Sequence, residues 1–141
     1  MPDLVWIRVH LDSNVLFSAS YTAHNRFLHF CKLTRIIPVT SPYAIAEARS
    51  HLERHEQFAR FDALLARTEV VADSDVQLIP SRVNIVEKDK PILAAAMAAS
   101  VDYLVTGDKN HFSHRYGQVV SDVCVLPPAE FLDLFVDRLF D

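Results

Sequence analysis

Apolar and polar positions along the chain change period several times, and each change marks an element. "LVWIRVHL", from Leu4 to Leu11, is a short apolar run rich in β-branched residues and predicts a strand buried on at least one face. "NVLFSASY" from Asn14 and "NRFLHFCKL" from Asn25 carry aromatic and aliphatic residues at spacings of three and four, the mark of helices that turn one stripe inward. "IIPV", Ile36 to Val39, returns to strand character, and its Pro38 suits an edge position because proline donates nothing to a ladder. "SPYAIAEARSHLERHEQF" opens a helix with Ser41 as N-cap and Pro42 at the first helical position. A further helix follows from Phe58 to Arg67, then short strand or connector segments at Thr68–Ala72 and Val76–Ile79. "PILAAAMAAS" (Pro91 to Ser100) predicts a helix, "DYLVTG" a buried strand, "QVVS" (Gln118 to Ser121) another, and "PPAEFLDLFVDRLF" a closing amphipathic helix. Strands separated by helices predict an α/β fold: a mostly parallel sheet with helices on both faces.

Topology then gathers particular acids. In such a fold the strands end at one rim, where the connecting helices begin, and ligands bind outside the carboxyl ends of the strands. Asp12 directly follows the first strand, and Asp108 lies two residues beyond the strand that ends at Thr106. Asp89 precedes the helix leading into that strand. A helix of about 10 residues descends about 15 Å and the strand climbs back, so Asp89 and Asp108 return to the same rim. Glu47, in the second turn of the helix opened by Ser41, reaches toward it. Each acid also has an ordinary explanation, as a helix cap at Asp12 and Asp89, a turn at Asp108 and a solvent-facing residue at Glu47. Taken singly, those explanations are the better ones; taken together they leave the coincidence unexplained. Two like charges ~4 Å apart repel by about 4 kcal/mol at an effective dielectric near 20, and divalent cations remove that cost. Hard carboxylate oxygens suit Mg²⁺ or Mn²⁺ rather than zinc, which brings His or Cys.

Composition narrows the chemistry. The 141 residues fit one domain, 1–141, and half of them are apolar. With two glycines, Gly107 and Gly117, neither a GxGxxG loop nor a Walker A loop can be built. The net charge of −4 argues against binding nucleic acid by bulk positive field, yet a carboxylate-centred nuclease is acidic at its core by construction. Cys31 and Cys124 sit in apolar segments without CxxC spacing and read as packed thiols in a reducing compartment. The N-terminus has neither the basic flank nor the apolar core of a signal peptide, and no run approaches the roughly 20 apolar residues needed to span a bilayer; the expected location is the cytoplasm.

These residues resemble a family. "LDSNVLFSA", the helical Glu47, "KDKPILAAAMAASVDYLVTGDKNHF" and "PPAEFL" are similar to the signature blocks of the PIN-domain ribonucleases, especially the VapC-like toxins of toxin–antitoxin pairs, over nearly the whole chain. The resemblance implies a PIN-like three-layer α/β/α sandwich. It implies that Asp12, Glu47, Asp89 and Asp108 are the metal-site acids of a Mg²⁺- or Mn²⁺-dependent endoribonuclease, that Asn14 and Thr106 support them, and that the chain pairs with itself and with an antitoxin. Asp102 is matched equally well by a supporting role and by bracing its strand. Many relatives carry a further acid shortly before the Asp89 position, where this chain has Val86, Glu87 and Lys88, so Glu87 becomes a candidate substitute.

Lys88, Lys90, Lys109 and Arg115 bracket the rim and are candidate phosphate contacts, with surface solubility an equally good explanation. His111 and His114 are candidates for substrate contact, against packing or solvent exposure. The stripe Phe58, Phe61, Leu64 and Leu65 is most simply core; any part left exposed, with Phe27, Leu28 and Phe30, would make a dimer or antitoxin surface. Two other classes compete. A phosphatase of the haloacid-dehalogenase type wants a second Asp two positions after the first, where Asn14 stands, and a silent PIN-like module would bind RNA or protein without cutting.

Overall fold

The computed structural model describes residues 6–31, 33–107, 119–120 and 122–135. They form a six-stranded sheet in the order β3-β2-β1-β4-β6-β5. Its strands are β1 (Ile7–Leu11), β2 (Ile36–Thr40), β3 (Glu69–Val70), β4 (Tyr103–Val105), β5 (Val119–Val120) and β6 (Val123–Leu126). All neighbours run parallel except β5, which is antiparallel to β6. The helices are α1 (Ser13–Tyr21), α2 (Pro42–Arg49), α3 (His55–Ala66), α4 (Lys90–Ala98) and α5 (Pro128–Leu134). The architecture is the α/β sandwich that the alternation of patterns predicts.

Why the central strands are mostly apolar follows from their place. Val9, Leu11, Leu104 and Val105 are buried because a parallel sheet is covered on both faces. The chain lays down β1, β2 and β3 in one direction, then crosses back through α4 to place β4 on the other side of β1. Right-handed crossovers therefore put α1 to α3 on one face and α4 on the other. This reversal at β1 and β4 opens a crevice at their carboxyl ends, where open α/β sheets bind ligands.

Several elements depart from the sequence pattern. The helix expected across 41–58 ends at Arg49, and α3 begins at His55. Gln57 causes the break: its Oε1 accepts from the backbone N–H groups of Glu53 and Arg54 at 2.9 and 3.0 Å, giving a new helix start its own cap. Ser41 holds the N-cap backbone position, but its hydroxyl makes no capping bond. The segment after Asn25 is a six-residue 3-10 helix, Arg26–Cys31, and of the two readings open for Val76–Ile79 the connector is found, as a 3-10 turn at Val76–Leu78.

Pro38 is not on an edge strand, since β2 lies between β3 and β1. Thr40 shares Pro38's orientation along the strand, and its carbonyl accepts from Val71 on the β3 side. The missing N–H of Pro38 therefore also faces β3, whose two-residue ladder starts only opposite Val39. Strand β6 is absent from the sequence reading; it pairs antiparallel with β5, and Asp122 just before it takes φ 71°.

The stripe on α3 is core as expected at Phe61 and Leu64, with Phe58 and Leu65 partly buried. Phe30 is also core, stacked on Phe131 at 5.6 Å between centroids, while Phe27 and Leu28 are partly buried against it. Cys124 is a free, partly buried thiol whose pKa burial raises. Among the described residues no helix is long and apolar enough to cross a membrane.

Candidate functional site

The crevice at the sheet's carboxyl rim is a cleft of about 540 Å³. Asp12, Glu47 and Asp89 all line it, together with Ser13, Asn14 and Lys88. Three different elements deliver these acids.

Asp12 ends β1, its N–H donating to the Val105 carbonyl at 3.0 Å, and its own carbonyl accepts the first bonds of α1 from Val15 and Leu16. It is thus a cap residue in backbone terms, as its ordinary reading expects. Its carboxylate is nevertheless 3 % exposed and turned into the cleft floor. The Thr106 hydroxyl donates to Oδ2 at 2.7 Å and the Ser13 N–H to Oδ1 at 2.6 Å. Burial pushes the Asp12 carboxyl up from its ordinary 3.8 to about 6; those two hydrogen bonds oppose the shift, and the charges of Asp89 and Glu47 add to it.

Asp89 closes a 3-10 turn, Glu87–Asp89, and stands at the N-cap of α4. The capping explanation fails there, because its side chain makes no cap bond and is 7 % exposed beside the cleft. Tyr43 holds this turn in place: its hydroxyl donates to the Lys88 carbonyl at 2.9 Å. The Tyr43 phenol is itself held above its usual range, by burial first and then by Glu47, Asp89 and Asp12. Glu47 extends from α2 and is fixed by Ser13, whose Oγ donates to Oε1 at 2.5 Å.

Polar support continues outward. Asn14 Nδ2 donates to Thr106 Oγ1 at 3.3 Å, and the Gly107 N–H donates to Asn14 Oδ1 at 2.8 Å. Thr106 is fully buried. Asn14 and Thr106 thus meet beside Asp12 and tie the end of β4 to the start of α1. Gly107 does not use a left-handed backbone; a Cβ there would meet Asn14 Oδ1 at 3.4 Å, an ordinary contact.

Asp102 is not brought to the cleft. It sits at the opposite end of β4, roughly 13 Å from Thr106 at strand rise, where its Oδ2 accepts from the Arg8 N–H at 2.9 Å and braces β1 against β4. Glu87 also stays outside the cleft lining, its carboxylate meeting Lys90 Nζ at 2.7 Å. Of the basic candidates Lys88 lines the cleft, whereas Lys90 is engaged by Glu87. Asp108, Lys109, His111, His114 and Arg115 lie outside the described residues.

Sequence reasoning missed Ser13, Tyr43, Phe17, Tyr21, His51 and Glu53, which line or support the cleft. Ser13 had a signal in its position next to Asp12; Tyr43 had none, since its role depends on the tertiary approach of α2 to the 87–89 turn.

Apart from the His51 imidazole and the Lys88 amine, the polar lining is oxygen-based: the carboxylates of Asp12, Glu47, Asp89 and Glu53, the Ser13 and Tyr21 hydroxyls and the Asn14 amide. That chemistry fits a hard divalent cation. Among the described residues no three His, Cys, Asp or Glu side chains are already drawn together at ligating distance, and the three acids flank the cleft instead.

The sequence model of the PIN domain family matches residues 8–110, so this chain belongs to the PIN domain family. Its fold is like that of a chain in the crystal structure of VapBC2 from Rickettsia felis bound to a DNA fragment from their promoter, with a TM-score of 0.63 and 15 % identity over 86 % of this chain and 98 % of the other. No curated protein shows significant sequence similarity to the chain.

Proposed function

We propose that the chain, acting as one PIN unit over residues 1–141, is a Mg²⁺- or Mn²⁺-dependent endoribonuclease and the toxin of a toxin–antitoxin pair. The observation that carries this reading is that acids separated by up to 77 positions, Asp12 to Asp89, line one cleft, where the charges of Asp89 and Glu47 add to the upward shift of the buried Asp12 carboxyl. A buried carboxylate at about 6 beside two more is an arrangement that a cation stabilises and bare water does not.

Asp12, Asp89 and Glu47 would hold the cation, joined by Asp108 from the end of β4. Bound there, it supplies Lewis acidity toward a phosphodiester and toward attacking water. The chain's own residues set the geometry. Thr106 and the Ser13 N–H fix both oxygens of Asp12, Ser13 Oγ fixes Glu47, and Tyr43 pins the turn that carries Asp89. Lys88 meets a phosphate of the strand, with Lys109 and Arg115 as further backbone contacts and Lys90 adjacent. No side-chain nucleophile is required.

Partner assignments rest on the family and on the VapBC2 likeness: an antitoxin protein, a second copy of this chain, an RNA substrate, and a cytoplasmic setting. The test is cleavage of RNA by purified protein with and without Mn²⁺. Wild type cuts only with the cation, and folded Asp12→Asn and Asp108→Asn do not cut. Wild-type cleavage by a folded Asp108→Asn protein would refute the acid assignment.

A further inference from the structure

The cleft does not end at the acids. Its lining continues along α1 to Phe17 and Tyr21, and across to His51 beyond the end of α2. Ser13, Phe17 and Tyr21 are spaced i, i+4, i+8, so the rings lie about 6 and 12 Å along the helix axis from the serine that holds Glu47. Phe17 packs partly on the core, as a ring at helical spacing ordinarily does, but Tyr21 is 50 % exposed and His51 is exposed as well. Phe17 joins them into one wall, with centroids 5.2 Å from Tyr21 at 40° and 6.1 Å from His51 at 82°.

We infer that Phe17, Tyr21 and His51 form a stacking site for an unpaired nucleobase of the RNA strand, about one or two nucleotides from the phosphate held at the acids. The inference rests on the ribonuclease reading and adds to it how the strand is gripped. Base-on-ring stacking is how proteins hold single strands without reading sequence.

Three observations favour a base over other occupants. Among the described residues Lys88 is the one lysine or arginine in the lining, and it stands at the acid end next to Asp89; at the other end Glu53 repels phosphate but not an uncharged base. Secondly, the platform is built in advance of any ligand. Arg60 donates to the Ser20 and Tyr21 carbonyls at 2.9 and 3.0 Å, and buried Gln57 donates to the Tyr21 carbonyl at 3.3 Å. The last carbonyls of α1 are thereby satisfied and a guanidinium faces the helix's negative end, so Tyr21 is anchored by its backbone while its ring stays open. Thirdly, a protein segment would need a broader apolar face, and among the described residues none of the other exposed large hydrophobic side chains lines this cleft.

The test maps where wild type cuts total RNA with Mn²⁺. It then measures kcat and KM on a short oligoribonucleotide spanning one cut and on copies with a single abasic ribose at each flanking position. At one position within two nucleotides of the cut, removal of the base raises the wild-type KM about 5- to 100-fold. Tyr21→Ala raises KM on intact RNA by a similar factor and ignores the abasic change, Tyr21→Phe restores the wild-type value, and Mn²⁺ affinity is the same in all three. Wild-type cleavage indifferent to every abasic position, or Tyr21→Ala kinetics equal to wild type, overturns the stacking site while leaving the ribonuclease reading standing. Absence of any Mn²⁺-dependent cleavage by wild type overturns that reading and the stacking site with it.

Discussion

Replacing Asp12 by Asn should stabilise the metal-free protein while destroying its response to metal. The carboxyl titrates at about 6 in the folded chain against an ordinary 3.8, chiefly because burial disfavours its charge. A folded pKa above the unfolded one means that the native state binds more protons between those values. This group's contribution is therefore complete below about pH 4, is lost as pH rises through about 6, and is a full cost above that. Two pKa units at about 1.4 kcal/mol each make that cost about 3 kcal/mol at pH 8.

The amide fits the site's hydrogen bonds. Its oxygen can accept from the Ser13 N–H as Oδ1 does now, and its NH₂ can donate to the second lone pair of the Thr106 hydroxyl, which already accepts from Asn14. Denaturant melts in EDTA should therefore show Asp12→Asn more stable than wild type by up to about 3 kcal/mol at pH 8, falling to nothing near pH 4. Added Mn²⁺ should reverse the order, stabilising wild type by mass action and leaving the variant unchanged. A variant less stable than wild type at pH 8 in EDTA, or a gain equally large at pH 4, would refute the claim that Asp12 is an electrostatically penalised carboxylate.

Two further predictions concern the scaffold. His10 is fully buried in β1, its two ring nitrogens have no hydrogen-bond partner among the described residues, and burial lowers its pKa from 6.5 to about 4. Its folded pKa lies below the unfolded one, so its contribution is complete above pH 6.5 and is lost as pH falls toward 4, about 3 kcal/mol in all; His10→Leu should flatten that acid limb in denaturant melts across pH 4 to 7. Ser100 occupies the left-handed position after α4 with φ 54°, with Ser100 N–H on Met97 O and Val101 N–H on Ala96 O, the 6→1 and 5→2 pair that normally calls for glycine. Ser100→Gly should raise stability by about 1 kcal/mol, read as an increase in thermal midpoint of a few degrees.

Much of this was legible from residues alone, and for identifiable reasons. The β1, β4 and α4 segments are predominantly apolar, so pattern and burial agree, and the rim positions of Asp12 and Asp89 follow from topology without any distance being known. What escaped depended on tertiary contacts. Gln57 splits α2 from α3 only because its amide turns back on Glu53 and Arg54. The β5–β6 hairpin was hidden because Asp122 rather than glycine takes the positive φ, removing the usual turn signal. Pro38 suggested an edge strand; it is tolerated inside the sheet because β3 is too short to reach it. The aromatic wall reads as core in the sequence, since Phe17 and Tyr21 have the same helical spacing whether or not anything covers them.

The central claim is that Asp12, Glu47 and Asp89, with Asp108, share a divalent cation. The most direct test is a crystal soaked in MnCl₂ and measured at the manganese absorption edge. An anomalous peak is expected in the cleft, within coordination distance of the Asp12 and Asp89 carboxylates and lost in Asp12→Asn crystals. An occupied manganese site elsewhere with none in this cleft, or a cleft peak of equal height in Asp12→Asn, would contradict it.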